Sequence, residues 1–368
     1  MIRLLIVDDS PLMRRMLADI FGAEPDFDVR AARDGVEAIA MLHQFKPDVV
    51  TLDVQMPNMD GLACLDRIML ERPCPVVMLS SLTREGADET MAALSLGAVD
   101  FLPKPAGPVS LSIDAFAPLV LEAVRNAAKT RVRRTLRLAE RIRLTQTQTK
   151  PARKPALRPS RSVAMELRDT PGLVLVGSST GGPPALDALL EPLPETFPWA
   201  VLVAQHMPAN FTAALARRLD NFCALNVVEV DRAMRIGAGC VYIGRGNSDL
   251  VVSARPDGLY AICAPAAAEY HWHPSVDRMV ESALEHLAPE KLLGVLMTGM
   301  GDDGARSMKT LRDAGGHTIA ESEETAVVWG MPGALARNGG ASEITPLGDI
   351  ATRVLEKIGA ETPAKGLS

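Results

Sequence analysis

Short apolar runs alternate with amphipathic stretches through the first third of this chain, and that alternation leaves few folds open to it. The runs are Arg3–Val7, Asp28–Ala31, Val49–Leu52, Val76–Leu79 and Val99–Leu102, with helical spacing over Pro11–Phe21, Gly35–Gln44 and Gly61–Glu71 between them. Strands joined by crossover helices rejoin a sheet in parallel, so repeated β–α units predict a doubly wound parallel sheet. In flavodoxin-like order the first and third strands are neighbours. Their carboxyl ends carry Asp8, Asp9 and Asp53. Carboxylates crowded on one edge repel each other and need a counter-charge, which a hard divalent cation such as Mg²⁺ supplies. Ser80 and Lys104 follow the fourth and fifth strands and converge on the same edge. The competing reading makes Asp8 and Asp9 caps of the first helix.

Three apolar runs in the second half of the chain end in polar turns. Leu173–Val176 leads into Gly177-Ser178-Ser179-Thr180-Gly181-Gly182, Ala200–Ala204 into Gln205-His206-Met207-Pro208, and Leu292–Met297 into Thr298-Gly299-Met300-Gly301-Asp302-Asp303-Gly304. If these strands are parallel neighbours, a serine, a histidine and an aspartate emerge on one rim, where open α/β sheets place their sites. Those residue types make an acyl-transfer triad. The prediction is a second doubly wound, mostly parallel α/β domain with Ser178 or Ser179, His206, and Asp302 or Asp303 at that rim. Prolines 183 and 184 open a helix after the glycine turn, and its positive end favours developing negative charge. The turn is not Gly-x-Ser-x-Gly. A phosphate-binding loop is the alternative, but the Walker lysine and the dinucleotide fingerprint are missing. A serine there also reads as a plain helix cap. His206 supplies the base that a serine hydroxyl needs, since imidazole titrates near neutrality.

The 368 residues suffice for two domains with separate cores. Charge divides them. Residues 1–125 carry 11 Lys and Arg against 19 Asp and Glu, residues 126–170 carry 13 against 3, and residues 171–368 carry 15 against 23. The expected layout is domain 1–125, basic flexible linker 126–170, domain 171–360 and tail 361–368. Helical spacing over Val120 to Leu144 extends the first domain's last helix. The linker has no aromatic residue and is rich in Pro, Lys and Arg. It reads as a solvated tether between acidic bodies; nucleic-acid binding is the alternative. The scattered cysteines fit no zinc site or disulfide framework, and the N-terminus turns acidic too early for a signal peptide. No apolar run reaches the roughly 18 residues of a membrane span. These features predict a cytoplasmic protein. His271 and His273 bracket Trp272 as a metal pair or a cleft lining, with no third ligand nearby. Asp277 reads as a helix or packing residue.

Asp8-Asp9-Ser10, Leu52-Asp53-Val54-Gln55-Met56-Pro57, Met59-Asp60-Gly61, Ser80 and Lys104-Pro105 together resemble the receiver domain of two-component response regulators. That resemblance implies that Asp53 accepts a phosphoryl group from a histidine kinase. It implies Mg²⁺ on Asp9, Asp53 and the Gln55 carbonyl, with Asp8 helping through water. Lys104 and Ser80 would contact the phosphoryl oxygens, and Phe101 would take the aromatic switch position. The later segments, with Pro274-Ser275-Val276-Asp277 and Trp329-Gly330-Met331-Pro332, resemble the catalytic domain of the chemotaxis protein-glutamate methylesterase family, CheB.

The family pattern implies Ser179 as nucleophile, His206 as base and Asp303 as acid, with the backbone amides of Thr180 and Met300 at the oxyanion. It implies hydrolysis of glutamate methyl esters on chemoreceptors, deamidation of receptor glutamines, no cofactor for either, and a receiver that blocks the cleft until a chemotaxis histidine kinase phosphorylates it. Three positions depart from the commonest pattern. Gln55 stands for Glu, Asp302 for Ala, and Trp272-His273 for His-Arg.

Overall fold

A computed structural model describes residues 1–81, 83–105, 109–130 and 168–359. The chain divides into two compact units, Met1–Arg158 and Pro159–Ser368. Most of the basic segment, residues 131–167, and the tail from residue 360 lie outside the described residues.

The first unit alternates β1 (Ile2–Val7), α1 (Pro11–Gly22), β2 (Phe27–Ala32), α2 (Gly35–Phe45), β3 (Val49–Asp53), α3 (Gly61–Glu71), β4 (Val76–Ser80), α4 (Arg84–Leu96), β5 (Asp100–Pro103) and α5 (Val109–Lys129). The strands form one parallel sheet in the order β2-β1-β3-β4-β5, the flavodoxin-like arrangement expected. β3 and β4 are buried along their whole length, as strands covered on both faces must be, which explains their unbroken apolar runs. Val7 pairs with Leu52, so Asp8 and Asp53 are the next residues on neighbouring strands. The helix-cap reading of Asp8 and Asp9 does not hold. Ser10 caps α1, its Oγ accepting from the Met13 amide at 3.4 Å, which leaves the carboxylates for other work.

Among the described residues the second unit has ten strands: β6 (Leu173–Ser178), β7 (Ala200–Gln205), β8 (Asn226–Val230), β9 (Met234–Arg235), β10 (Cys240–Gly244), β11 (Ser248–Arg255), β12 (Gly258–Pro265), β13 (Leu292–Leu296), β14 (His317–Glu321) and β15 (Glu343–Thr345). Seven make a parallel sheet in the order β15-β14-β13-β6-β7-β10-β8. The other three, β11-β12-β9, form an antiparallel sheet. β11 turns into β12 through Pro256 and Asp257, with Arg255 opposite Gly258, a hairpin too tight for a crossover helix. The chain moves from β6 outward through β7 to one edge, then returns on the far side of β6 to add β13, β14 and β15. The direction of winding therefore reverses between β6 and β13, and open α/β sheets bind ligands at such a reversal, beyond the strands' carboxyl ends.

Candidate active site

Ser179 stands at that reversal. The β6–β7 ladder ends with Ser178 opposite Gln205, and His206 N–H still donates to Ser178 O at 3.0 Å. Ser179 and His206 are thus the next pair across two parallel strands, whose spacing is about 4.8 Å. On the other flank Ser179 N–H donates to Thr298 O at 2.9 Å, extending the β6–β13 ladder. Alternation along β6 separates the two serines. Ser178 is fully buried, and its hydroxyl donates to Gln205 Oε1 at 2.7 Å, whereas Ser179 is part-exposed at the rim. The Gln205 amide nitrogen also donates to Ser179 O (2.9 Å) and His206 O (3.1 Å), so one carboxamide clamps both strand ends.

His206 Nε2 lies 2.8 Å from Asp303 Oδ2. Asp303 is buried and sits on the first amides of the helix Val276–Leu284. It accepts from Val276 N–H (2.7 Å), Asp277 N–H (3.0 Å) and Ser275 Oγ (3.1 Å). Burial alone would raise its pKa, but the bond to His206 and those two amides outweigh burial and hold the carboxyl below its ordinary value. Asp303 is therefore an anion able to fix one imidazole tautomer. His206 Nδ1 is buried and has no hydrogen-bond partner among the described residues. Asp302 is exposed beside this pair, so the geometry separates the two adjacent carboxylates.

The turn after β13 packs against the nucleophile. A Cβ on Gly299 would lie 2.8 Å from Ser179 Cβ and 2.3 Å from Met331 Sδ, so only glycine fits there. Met300 N–H, the next amide, donates to no protein acceptor among the described residues. Thr298 Oγ1 donates to Thr180 O at 2.9 Å, tying this turn to the serine turn.

Glu321 anchors the arrangement from below and has no sequence signature. Fully buried at the end of β14, it accepts from Thr298 N–H (2.8 Å) and Thr325 Oγ1 (3.0 Å). Burial pushes its pKa up to about 7, and those two bonds offset only part of the rise. A folded-state pKa above the unfolded value means that the fold holds a proton the unfolded chain releases. Stability therefore falls as pH rises from about 4.5 to about 7. Glu321→Gln keeps an acceptor for Thr298 and removes the ionisation. It should raise the unfolding temperature by several degrees at pH 8.5 and much less at pH 5, measured by calorimetry. An equal effect at both values would show that ionisation is not involved.

A second cluster lies at the carboxyl edge of the first sheet. Ligand oxygens of Asp8, Asp9 and Asp53 all fall within 4.8 Å of one another, and this is the one such group of His, Cys, Asp or Glu atoms among the described residues. Lys104 Nζ lies 2.7 Å from Asp53 Oδ2 and 2.9 Å from Asp8 Oδ2. Asp8 Oδ2 is buried and lacks a well-aligned hydrogen bond even so. Three hard oxygen donors clustered at one edge fit Mg²⁺. Burial pushes Asp53 up to about 6 against the pull of Lys104. Gln55 N–H reaches Asp53 Oδ1 at 3.4 Å, and Phe101 is buried on β5. Ser80 stands one residue past Leu79, the partner of Asp53 across β3–β4. Its hydroxyl donates to Gly86 O at 3.0 Å, toward the start of α4.

Other expectations resolve differently. His271 and His273 belong to no group of three metal-ligating side chains among the described residues; His273 Nδ1 is 2.8 Å from the buried Asp249, and the His271 ring meets Trp272 edge-on. Asp277 sits in the first turn of its helix, as expected of a helix residue, and accepts from Ser307 N–H at 3.0 Å. A cleft of about 710 Å³ beside Asp303 is lined by Trp272, Asp302, Arg306, Arg337 and Asn338 among others. No helix among the described residues is long and apolar enough to cross a membrane.

Comparisons with known proteins agree with this layout. The response regulator receiver domain family matches residues 4–114, and the CheB methylesterase family matches residues 174–354. A protein-glutamate methylesterase/protein-glutamine glutaminase 2 of Rhodopseudomonas palustris is 56% identical over 97% of this chain and 98% of its own. A counterpart in Rhodospirillum rubrum, numbered 3, is 48% identical over 95% of each chain. Among solved structures, the CheB methylesterase catalytic domain of Thermotoga maritima is 36% identical, covering 50% of this chain and 97% of that one, with a TM-score of 0.49. A receiver domain followed by a methylesterase domain, with this identity over nearly the whole length, makes the chain a member of the CheB protein-glutamate methylesterase/protein-glutamine glutaminase family.

Proposed function

We propose that Ser179, His206 and Asp303 hydrolyse glutamate γ-methyl esters on chemoreceptors and deamidate receptor glutamines, under control of Asp53. The observation that carries this is the His206 ring, fixed at Nε2 by Asp303 and left with a buried, unpartnered Nδ1, with Ser179 the next residue across the β6–β7 pair. As Ser179 Oγ bonds to the γ-carbonyl carbon, its proton passes to His206 Nδ1. The carbonyl oxygen takes the negative charge and accepts from the Met300 and Thr180 amides, each such donor being worth about 3–4 kcal/mol. His206 then gives its proton to the departing methoxide, which leaves as methanol, or to the amide nitrogen, which leaves as ammonia. Water, deprotonated by the same nitrogen, attacks the acyl-enzyme and releases glutamate. Asp303 stays ionised throughout and balances the imidazolium. No cofactor enters these steps.

We assign residues 1–125 as the receiver, 171–360 as the catalytic domain and 126–170 as the tether, acting in the cytoplasm. Asp9, Asp53 and the Gln55 carbonyl, with Asp8 behind them, would hold Mg²⁺, which neutralises charge during phosphoryl transfer from a chemotaxis histidine kinase. Phosphorylation adds about 1.5 to 2 negative charges at Asp53. Lys104 is already within 2.7 Å to bind them, and Ser80 must release Gly86 O to reach them. That rearrangement would relieve the receiver's block of the cleft by shifting a closed–open equilibrium.

The test is release of radiolabelled methanol from methylated receptor membranes, with and without a small-molecule phosphodonor. Asp53→Ala should keep the basal rate and lose the stimulation. Stimulation that survives in this variant would sink the control mechanism. Absence of any methanol release by the wild type would sink the activity itself.

A further inference from the structure

Trp272 sits against His206. Its indole is 5.8 Å from the His206 imidazole, centroid to centroid, and the planes are 4° from parallel. His271 meets the same indole edge-on at 4.8 Å and 86°. A Cβ on Gly301 would lie 2.6 Å from indole Cζ2, so the ring also presses on the turn that carries Met300. One half-buried side chain thus touches the base and abuts the oxyanion turn.

A single hydrogen bond, from Nε2 to Asp303, leaves an imidazole free to roll about the line joining them. Roll moves Nδ1, which has no partner among the described residues to hold it. A flat wall parallel to the ring removes that freedom. The same wall lies within the roughly 6 Å at which an aromatic face attracts a cation. His206 becomes a cation only after it accepts the serine proton, so this attraction grows in the transition state and lowers the barrier instead of tightening substrate binding.

We propose that Trp272 is a positioning residue for the hydrolysis, aligning His206 with Ser179 and stabilising the imidazolium through its indole face. This rests on the assignment of Ser179, His206 and Asp303 above. The methanol-release assay on the full chain tests it. Trp272→Leu should lower kcat and kcat/KM together by about 3- to 30-fold with KM unchanged, the range that a cation–π contact spans. Trp272→Phe should recover most of the loss, because it restores a flat aromatic face.

Thermal unfolding is measured on each variant first. Should the leucine variant not fold, Trp272→Met fills the space without an aromatic face and should show the same loss. A folded Leu or Met variant with the wild-type kcat would overturn the proposal. So would a rise in KM alone, or a Phe variant no better than Met. A wild type inactive toward methylated receptors would instead remove the underlying assignment.

Discussion

Replacing Ser179 by Ala should lower methanol release by about 10⁴- to 10⁶-fold, whereas Ser178→Ala should stay within about tenfold of the wild type. The two serines are adjacent, and only strand alternation separates them. Ser179 occupies the position next to His206 across the β6–β7 pair, with its backbone held by Thr298 and Gln205. Ser178 faces the interior, and its hydroxyl is spent on Gln205 Oε1 at 2.7 Å. Removing that hydroxyl leaves a buried acceptor short of a donor, which costs about 1–3 kcal/mol of stability. The Ser178 variant should therefore be visible in its unfolding temperature more than in its turnover. Loss of turnover in Ser178→Ala alone, with Ser179→Ala active, would overturn the choice of nucleophile.

Asp303→Asn should lower kcat by about 10⁴-fold with little change in KM, and Asp302→Asn should change either by less than tenfold. The Asp303 carboxylate receives four donors: His206 Nε2, Ser275 Oγ, and the amides of Val276 and Asp277. An amide offers one acceptor oxygen and presents two N–H groups of its own. Whichever way it turns, a donor meets a donor, at His206 or at the helix amides. Turned toward His206, the NH₂ group favours the tautomer with its proton on Nδ1, which cannot take the Ser179 proton. Nitrogen-15 NMR of the imidazole reads that tautomer directly. An Asp303→Asn enzyme within tenfold of wild type would show that His206 needs no anionic partner.

Much of this site was legible because it lies at strand ends. Apolar runs of strand length mark the rim, and whatever polar residue follows each run must emerge there. That logic located Asp8, Asp53 and Lys104 on one sheet and, on the other, Ser178 or Ser179, His206, and Asp302 or Asp303; the family resemblance chose Ser179 and Asp303. The antiparallel β11–β12 hairpin was not anticipated, since Leu250 and Val252 are buried while Val251 and Ser253 are less so, a weaker pattern than a continuous run. Glu321, Ser275 and Asp249 were missed as well. Each is a lone polar residue whose meaning comes from a partner more than 20 residues away, such as Thr298 for Glu321 at 2.8 Å.

What the amino-acid order determined alone was the first unit's five strands, the three strands that carry the second site and the residue types waiting at the rim, because hydrophobic period and turn chemistry are local. The tertiary structure decided where each candidate stands. It buried Ser178 and Asp303 while leaving Ser179 and Asp302 at the surface, seated Asp303 on a helix N-terminus, and laid Trp272 over His206. Those outcomes depend on which elements pack together, and packing is settled by long-range burial that no local pattern encodes.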